Sequence, residues 1–175
     1  MPHDPPAVDD VLAAVTARFG PLESSAFRGQ TSLVVPDVQS YDVLAFLKER
    51  GFDLLVDVSC VDYLEYRGAT RRYGLVYLLA STTTNQRLTV RVFVDDPATA
   101  AEQGPTVRSV VPLWQAADWL EREVWDLFGI RFAGHPDLRR LVMPEEFTAH
   151  PLRKDYPLQG RGERHNFPVI TRDHS

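Results

Sequence analysis

The chain has 175 residues, of which 44% are hydrophobic and 25% are charged. This is the profile of an ordinary globular domain, and its length is sufficient to bury a core without disulfides or metals. No apolar run approaches the roughly 20 residues that span a bilayer, so we expect no direct membrane span. The net charge of −5, with no basic patch containing interleaved aromatic residues, argues against a nucleic-acid partner.

Cys60 is the only cysteine in the chain. One cysteine excludes an intrachain disulfide, and it excludes an iron–sulfur cluster held by this chain alone, because such a cluster needs about four thiolates. Cys60 follows an apolar run, which is typical of a small buried residue. A reactive thiol is the alternative interpretation.

Hydrophobic periodicity predicts two early helices, a group of strands and a later helix. The predicted helices cover residues 8–19, 39–50 and 113–128, and the predicted strands cover residues 32–35, 53–60, 71–81 and 87–95. Short polar loops between the last three strands favour antiparallel hairpins. We therefore predict an α+β fold, in which helices pack on one face of a mostly antiparallel sheet.

We divide the chain into three parts by composition. Residues 1–6 have neither the basic nor the apolar segment of a secretory signal, and we expect them to be disordered. Residues 7–143 form the α+β domain. Residues 144–175 contain four prolines and few apolar residues, so we expect an extended tail that lies against a partner.

The predicted helix 113–128 carries polar and aromatic residues away from its apolar stripe. Trp119, Glu123 and Asp126 gather on one flank, and Trp125 lies on the other flank near Glu121. The set is typical of an interface, because Trp and Arg are favoured interface residues. A covering layer of the same domain, or a solvated charged face, is the alternative.

A catalytic interpretation of the same region is weaker. Glu121 and Glu123 resemble an acid/base pair near His135, but residues two apart on a helix diverge by about 200°. The five histidines show no metal-ligand spacing, and the chain has no phosphate-binding or dinucleotide-binding motif. We therefore predict no catalytic, cofactor-binding or metal-binding residue.

Residues 121–140, here called the signature segment, carry a specific family resemblance. The run EREVWDLFGI at 121–130, followed by GHPDLRRL at 134–141, resembles the C subunit of bacterial respiratory complex I. The run PLRKDYPL at 151–158 resembles the closing segment of that family, and residues 52–55 and 61–63 also match. The family includes the mitochondrial thirty-kilodalton subunit.

The resemblance implies a cofactor-free subunit in the peripheral arm of the proton-pumping NADH:quinone oxidoreductase. Electrons would pass from NADH to quinone through FMN and iron–sulfur clusters in partner subunits. The implied partners are the D subunit, which helps form the quinone site, the adjacent subunit holding the terminal iron–sulfur cluster, and other peripheral-arm subunits. The implied location is peripheral, on the cytoplasmic side of the inner membrane.

The resemblance also gives the signature segment an expected role in assembly. Glu121, Arg122, Glu123 and Asp126 are expected to form ion pairs, which lock the helix to the following loop and to a partner. His135 and Pro136 are expected to set a turn. The expected interface residues are Trp119, Glu121, Arg122, Glu123, Trp125, Asp126, His135, Asp137, Arg139, Arg140, Arg153, Lys154 and Asp155.

Three alternatives remain open from the sequence, one of which is a generic adaptor domain. The chain could be the equivalent subunit of a related membrane-bound hydrogenase or of a chloroplast-type complex. It could also be a stand-alone acid/base enzyme that uses Glu123, Asp126 and His135, which would require a closed pocket around those residues.

Overall fold

The computed structural model describes residues 8–95 and 104–163. The prediction of a disordered stretch at residues 1–6 therefore lies outside the described residues. In chain order the elements are α1 (Val8–Phe19), β1 (Ser24–Phe27), β2 (Gln30–Pro36), α2 (Asp37–Glu49), β3 (Leu54–Asp62), β4 (Tyr73–Ala80), β5 (Arg87–Val94), β6 (Thr106–Arg108), α3 (Ala117–Phe128) and β7 (Arg131–Ala133).

The larger sheet has five strands in the order β1-β2-β5-β4-β3. The pairs β3–β4 and β4–β5 are antiparallel, which confirms the predicted hairpins. β2 runs parallel to β5, so the sheet is mixed. The parallel pair arises because the chain passes through α2 to the far edge at β3 before it returns to the centre at β5.

One face of this sheet is buried against α2 and α3, and α1 packs on α2. Leu33, Val90, Tyr77 and Val58 are neighbours across four strands, and each is at most 3% exposed. Neighbours in register point to the same side of a sheet, so these side chains form one apolar layer. α2 contacts β2 and β5, while α3 contacts β3. The predicted α+β fold with helices on one face is confirmed.

The structure differs from the prediction where the elements are short. α3 begins at Ala117 rather than at residue 113, because residues 111–116 form turns around the buried indole of Trp114. The indole N–H donates to the Asp53 carbonyl at 3.1 Å and so ties these turns to the start of β3. The strands β1, β6 and β7 have three or four residues each, too few to show a period in the sequence.

Residues 144–163 do not extend away from the domain. Phe147 is only 7% exposed, and the Leu152 N–H donates to the Leu127 carbonyl at 3.0 Å. These contacts attach the segment to the domain at Phe147 and Leu152, residues 164–175 lie outside the described residues, and the expected docking of the tail on a partner stays a prediction. Prolines prevent a regular element here, but tertiary contacts fix the segment.

In the part of the chain that the structure describes, none of the helices has both the length and the apolar character needed to traverse a bilayer.

The two faces of β4 provide a test of the packing. Leu79 is 1% exposed and faces the helices, whereas the adjacent Leu78 is 36% exposed on the outer face. We expect Leu79→Ala to lower the free energy of unfolding by about 2–5 kcal/mol, since it leaves a cavity in a packed core. Leu78→Ala is the matched control and should lower it much less. Urea unfolding of both variants measures the difference, and equal losses would contradict the assigned faces.

Candidate functional site

The carboxylate of Asp126, on α3, is the centre of the signature segment. Its Oδ2 accepts three consecutive backbone N–H groups, from Leu141 at 3.0 Å, Val142 at 2.7 Å and Met143 at 2.9 Å. Its Oδ1 lies 2.5 Å from the Arg140 guanidinium. Burial opposes ionisation, but these donors together hold the pKa of Asp126 below its usual range.

Arg122 makes the second connection between α3 and the loop. Its side chain is buried and donates to the carbonyls of Arg139 at 3.2 Å and Arg140 at 3.0 Å. Arg122 therefore attaches the helix to the following loop, as expected, but through backbone carbonyls and not through an ion pair. A guanidinium has five donors in a planar fork, which suits it to two successive backbone carbonyls.

Glu121 is fully buried and is hydrogen-bonded without a cation. Its carboxyl group accepts from the Ser109 hydroxyl and from the Val110 N–H, each at 2.7 Å. Burial raises the pKa of Glu121 to about 7. The predicted ion pair of Glu121 is thus wrong. Its contacts join α3 to the chain just after β6, at Ser109 and Val110.

Glu121 and Glu123 lie on different sides of α3. Glu121 is 0% exposed, whereas Glu123 is exposed. The expected divergence of these two carboxylates is confirmed, and they cannot act on one substrate atom. His135 approaches neither residue by hydrogen bond; its partners are Asp118 and Asp137.

His135 fastens the turn after β7. Its Nε2 lies 3.0 Å from the Asp118 carbonyl, and its Nδ1 accepts the Asp137 N–H at 3.0 Å. These roles place the proton on Nε2. The His135 N–H donates to the Phe132 carbonyl at 3.2 Å, which closes a turn over residues 132–135, just before the predicted turn at His135 and Pro136. The imidazole side chain is fully buried against α3.

A third buried carboxylate, Asp62 at the end of β3, holds the chain beyond residue 150. It binds the Arg72 guanidinium at 3.2 Å and accepts the Lys154 N–H at 2.8 Å. Asp155 then bridges Arg72 at 2.9 Å and Arg153 at 3.2 Å. Arg153 and Asp155, predicted to meet a partner, are therefore paired within the chain. Asp62 and Arg72 were not predicted as site residues.

The remaining predicted interface residues are partly or fully exposed. Trp119 is 64% exposed, and Glu123 is exposed beside it on α3. Asp137 and Arg139 form an exposed ion pair at 2.7 Å. Trp125 is half-buried, because the ring of His150 packs on it with centroids 6.3 Å apart. The interface role of these residues stays a prediction.

Two features of the described ranges 8–95 and 104–163 concern possible metal ligands and the single cysteine. No group of three or more His, Cys, Asp or Glu side chains there is arranged to hold a metal ion. The Cys60 thiol is buried, and burial raises its pKa to about 12. A thiol with such a pKa is an inert core residue, which supports the structural interpretation of Cys60.

The fold and these contacts together define the class of this chain. It is an α+β domain in which buried charged residues bind the segment that follows β7. The chain belongs to the family described as respiratory-chain NADH dehydrogenase, 30 Kd subunit, whose sequence model matches residues 33–162. That match includes the three buried carboxylates, Asp62, Glu121 and Asp126, and all of the signature segment.

Individual relatives agree with the family. The C subunit of the NADH-quinone oxidoreductase from Trichlorobacter lovleyi is 46% identical over 142 residues, which cover 81% of this chain and 83% of that protein. A protein from Thermus thermophilus named NADH-quinone oxidoreductase subunit 5 is 40% identical over 157 residues, which cover 86% of this chain and 72% of that protein.

Two solved structures are also similar. The trypsin-resistant fragment (1–134) of Nqo5 matches with a TM-score of 0.64 and 36% identity, over 75% of this chain and 98% of the fragment. The archaeal membrane-bound sulfane sulfur reductase complex contains a chain that matches with a TM-score of 0.73 over 94% of each chain. At 21% identity, the second likeness shows the fold alone.

Asp126 provides a test of the connection between α3 and the loop. Asp126→Asn removes the charge that balances Arg140, so we expect a loss of about 3–5 kcal/mol in the free energy of unfolding. We also expect faster proteolysis within residues 139–155. Urea unfolding and limited proteolysis measure these effects. Asp137→Asn, in an exposed ion pair, is the control and should leave both nearly unchanged.

Glu121 makes a separate prediction about pH. The folded chain binds a proton at Glu121 more tightly than the unfolded chain does, because its pKa rises from 4.5 to about 7. Ionisation of Glu121 therefore costs stability progressively as pH rises through this window. As pH rises from 4.5 to about 7, we expect the free energy of unfolding of Glu121→Gln to increase by up to roughly 3 kcal/mol relative to that of wild type. Urea unfolding across the pH range measures it, and parallel curves for the two proteins would contradict it.

Proposed function

We propose that this chain is a structural subunit of the peripheral arm of the proton-pumping NADH:quinone oxidoreductase. In this proposal electrons pass from NADH to quinone through FMN and iron–sulfur clusters, all of them in other subunits. The chain itself supports assembly and holds no cofactor. It lies at the cytoplasmic side of the inner membrane through its partners, among them the D subunit and the subunit with the terminal cluster.

One observation carries this proposal: three charged residues of the signature segment make their contacts inside the domain. Asp126 accepts three N–H groups and pairs with Arg140, and Arg122 donates to two carbonyls. Glu121 is fully buried. These contacts hold the shape of the domain. This supports a role in building a complex.

An exposed surface next to these residues suits partner binding. Trp119 and Glu123 project from α3, and the Asp137–Arg139 pair lies on the loop that Arg122 fixes to the helix. A rigid exposed Trp beside charged residues is the usual composition of an interface centre with a polar rim. We assign this surface to a neighbouring subunit.

The alternative of a membrane-bound hydrogenase or related complex receives less support. The likeness to the archaeal sulfane sulfur reductase complex is at the level of fold. Relatives that are 40–46% identical carry the name NADH-quinone oxidoreductase. We therefore favour quinone as the electron acceptor of the whole assembly.

Co-purification tests the proposed function. A tagged chain, expressed in cells that carry the other subunits, should recover NADH:quinone oxidoreductase activity together with FMN and iron. The same chain purified alone should be colourless and should not oxidise NADH. Trp119→Ala should reduce the recovered FMN per tagged chain, because it removes an interface anchor.

Phe27→Ala is the matched control for that variant, since Phe27 is 72% exposed at the β1–β2 hairpin, away from α3. It should leave the recovered FMN unchanged. An active, soluble monomer recovered without partners from such cells would overturn the proposed function.

A further inference from the structure

A cleft of about 400 Å³ opens between the end of α3 and the C-terminal segment, next to β7. We call it the arginine cleft. Its lining includes Trp125, Arg131, His150, Arg153, Tyr156 and Arg161. The side chains of Glu121, Arg122 and Asp126 do not line it, and Arg131 was not among the predicted interface residues.

The walls of the arginine cleft are tightly built. Gly104 rests on the Gly129 carbonyl so closely that a Cβ on Gly104 would overlap it. A Cβ on Gly129 would lie 2.6 Å from the His150 ring. The His150 Nδ1 lies 2.9 Å from the Asp126 carbonyl, which fixes the ring against Trp125. The cleft is therefore formed before any ligand enters, and binding needs little reorganisation.

Positive charge is in excess in the arginine cleft, which is lined by three arginines and one carboxylate, that of Asp155. Asp155 is bound by Arg72 and Arg153, and burial lowers the pKa of His150, which favours the neutral ring. Glu163 accepts the Tyr156 hydroxyl at 2.8 Å and the backbone N–H of Arg161 at 2.7 Å.

Arg131, on β7, also lines the cleft. It is exposed, and it makes no ion pair with any carboxylate of the described residues. Beside it stand the half-buried rings of Trp125 and Tyr156. Arg161 also makes no ion pair with the described carboxylates, but its guanidinium stacks on the Tyr156 ring at 5.5 Å from the centroid. The cleft thus combines the Arg131 guanidinium, which contacts neither a carboxylate nor a ring of the described residues, with two aromatic walls. Arg, Trp and Tyr are the residues most often found at the energetic centre of a protein interface.

We infer that the arginine cleft receives an acidic segment of a neighbouring subunit, with one Asp or Glu carboxylate on Arg131 and the adjoining side chain against Trp125 and Tyr156. The inference rests on the proposed function, which supplies the neighbouring subunit. A free inorganic anion would use the guanidinium but not the aromatic walls. An acidic peptide segment uses both. Its carboxylate is planar and can bind the guanidinium through two parallel hydrogen bonds, and its adjoining side chain contacts the two rings.

Charge reversal in the assembled complex tests the inference. Arg131→Glu should lower the amount of partner subunits recovered with the tagged full-length chain by about tenfold or more at physiological salt, since it opposes two like charges. Arg67→Glu, at an exposed position in the β3–β4 loop, is the matched control and should assemble like wild type. Circular dichroism and the thermal midpoint of each purified chain verify that both variants are folded.

A photo-crosslinking residue in place of Thr148, an exposed residue that also lines the cleft, then identifies the occupant while Arg131 is kept. We expect a peptide of another subunit that contains Asp or Glu, and conversion of that acid to Arg should restore assembly of Arg131→Glu. A crosslink to this chain's own residues or to lipid would overturn the inference, as would normal assembly of Arg131→Glu. Failure of the wild-type chain to recover any partner would instead overturn the proposed function.

Discussion

The buried carboxylate of Asp126 is the interaction on which the C-terminal half of this structure depends. A charge without solvent is costly unless donors surround it, and three consecutive N–H groups with one guanidinium supply them. Those donors all come from residues 140–143, so satisfying the charge also fixes the path of the chain after the turn. The Arg122 bonds to two carbonyls in the same loop reinforce that path from the other direction.

Asp62, at the edge of the sheet, is also a buried carboxylate that binds a guanidinium and a backbone N–H. It holds Arg72, which immediately precedes β4, and the backbone of Lys154, which is 92 residues away in the chain. Between them, Asp62 and Asp126 fasten both ends of a proline-containing segment that has no regular hydrogen bonding of its own. The segment in turn covers Trp125 and forms one wall of the arginine cleft. Charge burial, packing and a binding surface are therefore linked.

The interior contacts change how the family segment is understood. Conspicuous charged residues in a sequence suggest chemistry or an exposed interface, yet Glu121, Arg122 and Asp126 lie inside the domain. The surface offered to a partner consists of their neighbours, such as Trp119 and Glu123, which the interior contacts hold in place. The proposed role in assembly then follows from rigidity, since a preformed surface loses little entropy on binding.

Sequence alone determined the elements with strong periodicity. α1 is observed at Val8–Phe19, as its spacing predicts, and β5 shows the strict alternation of buried and exposed side chains expected from Leu88 to Val94. Local pattern suffices there because each residue's environment repeats with the element. Tertiary structure alone decided the partners of Asp126 and Asp62, the parallel pairing of β2 with β5, and the return of residues 144–163 onto the domain. These contacts join groups that are distant in the chain, so a local sequence pattern does not predict which backbone N–H groups bind each buried carboxylate.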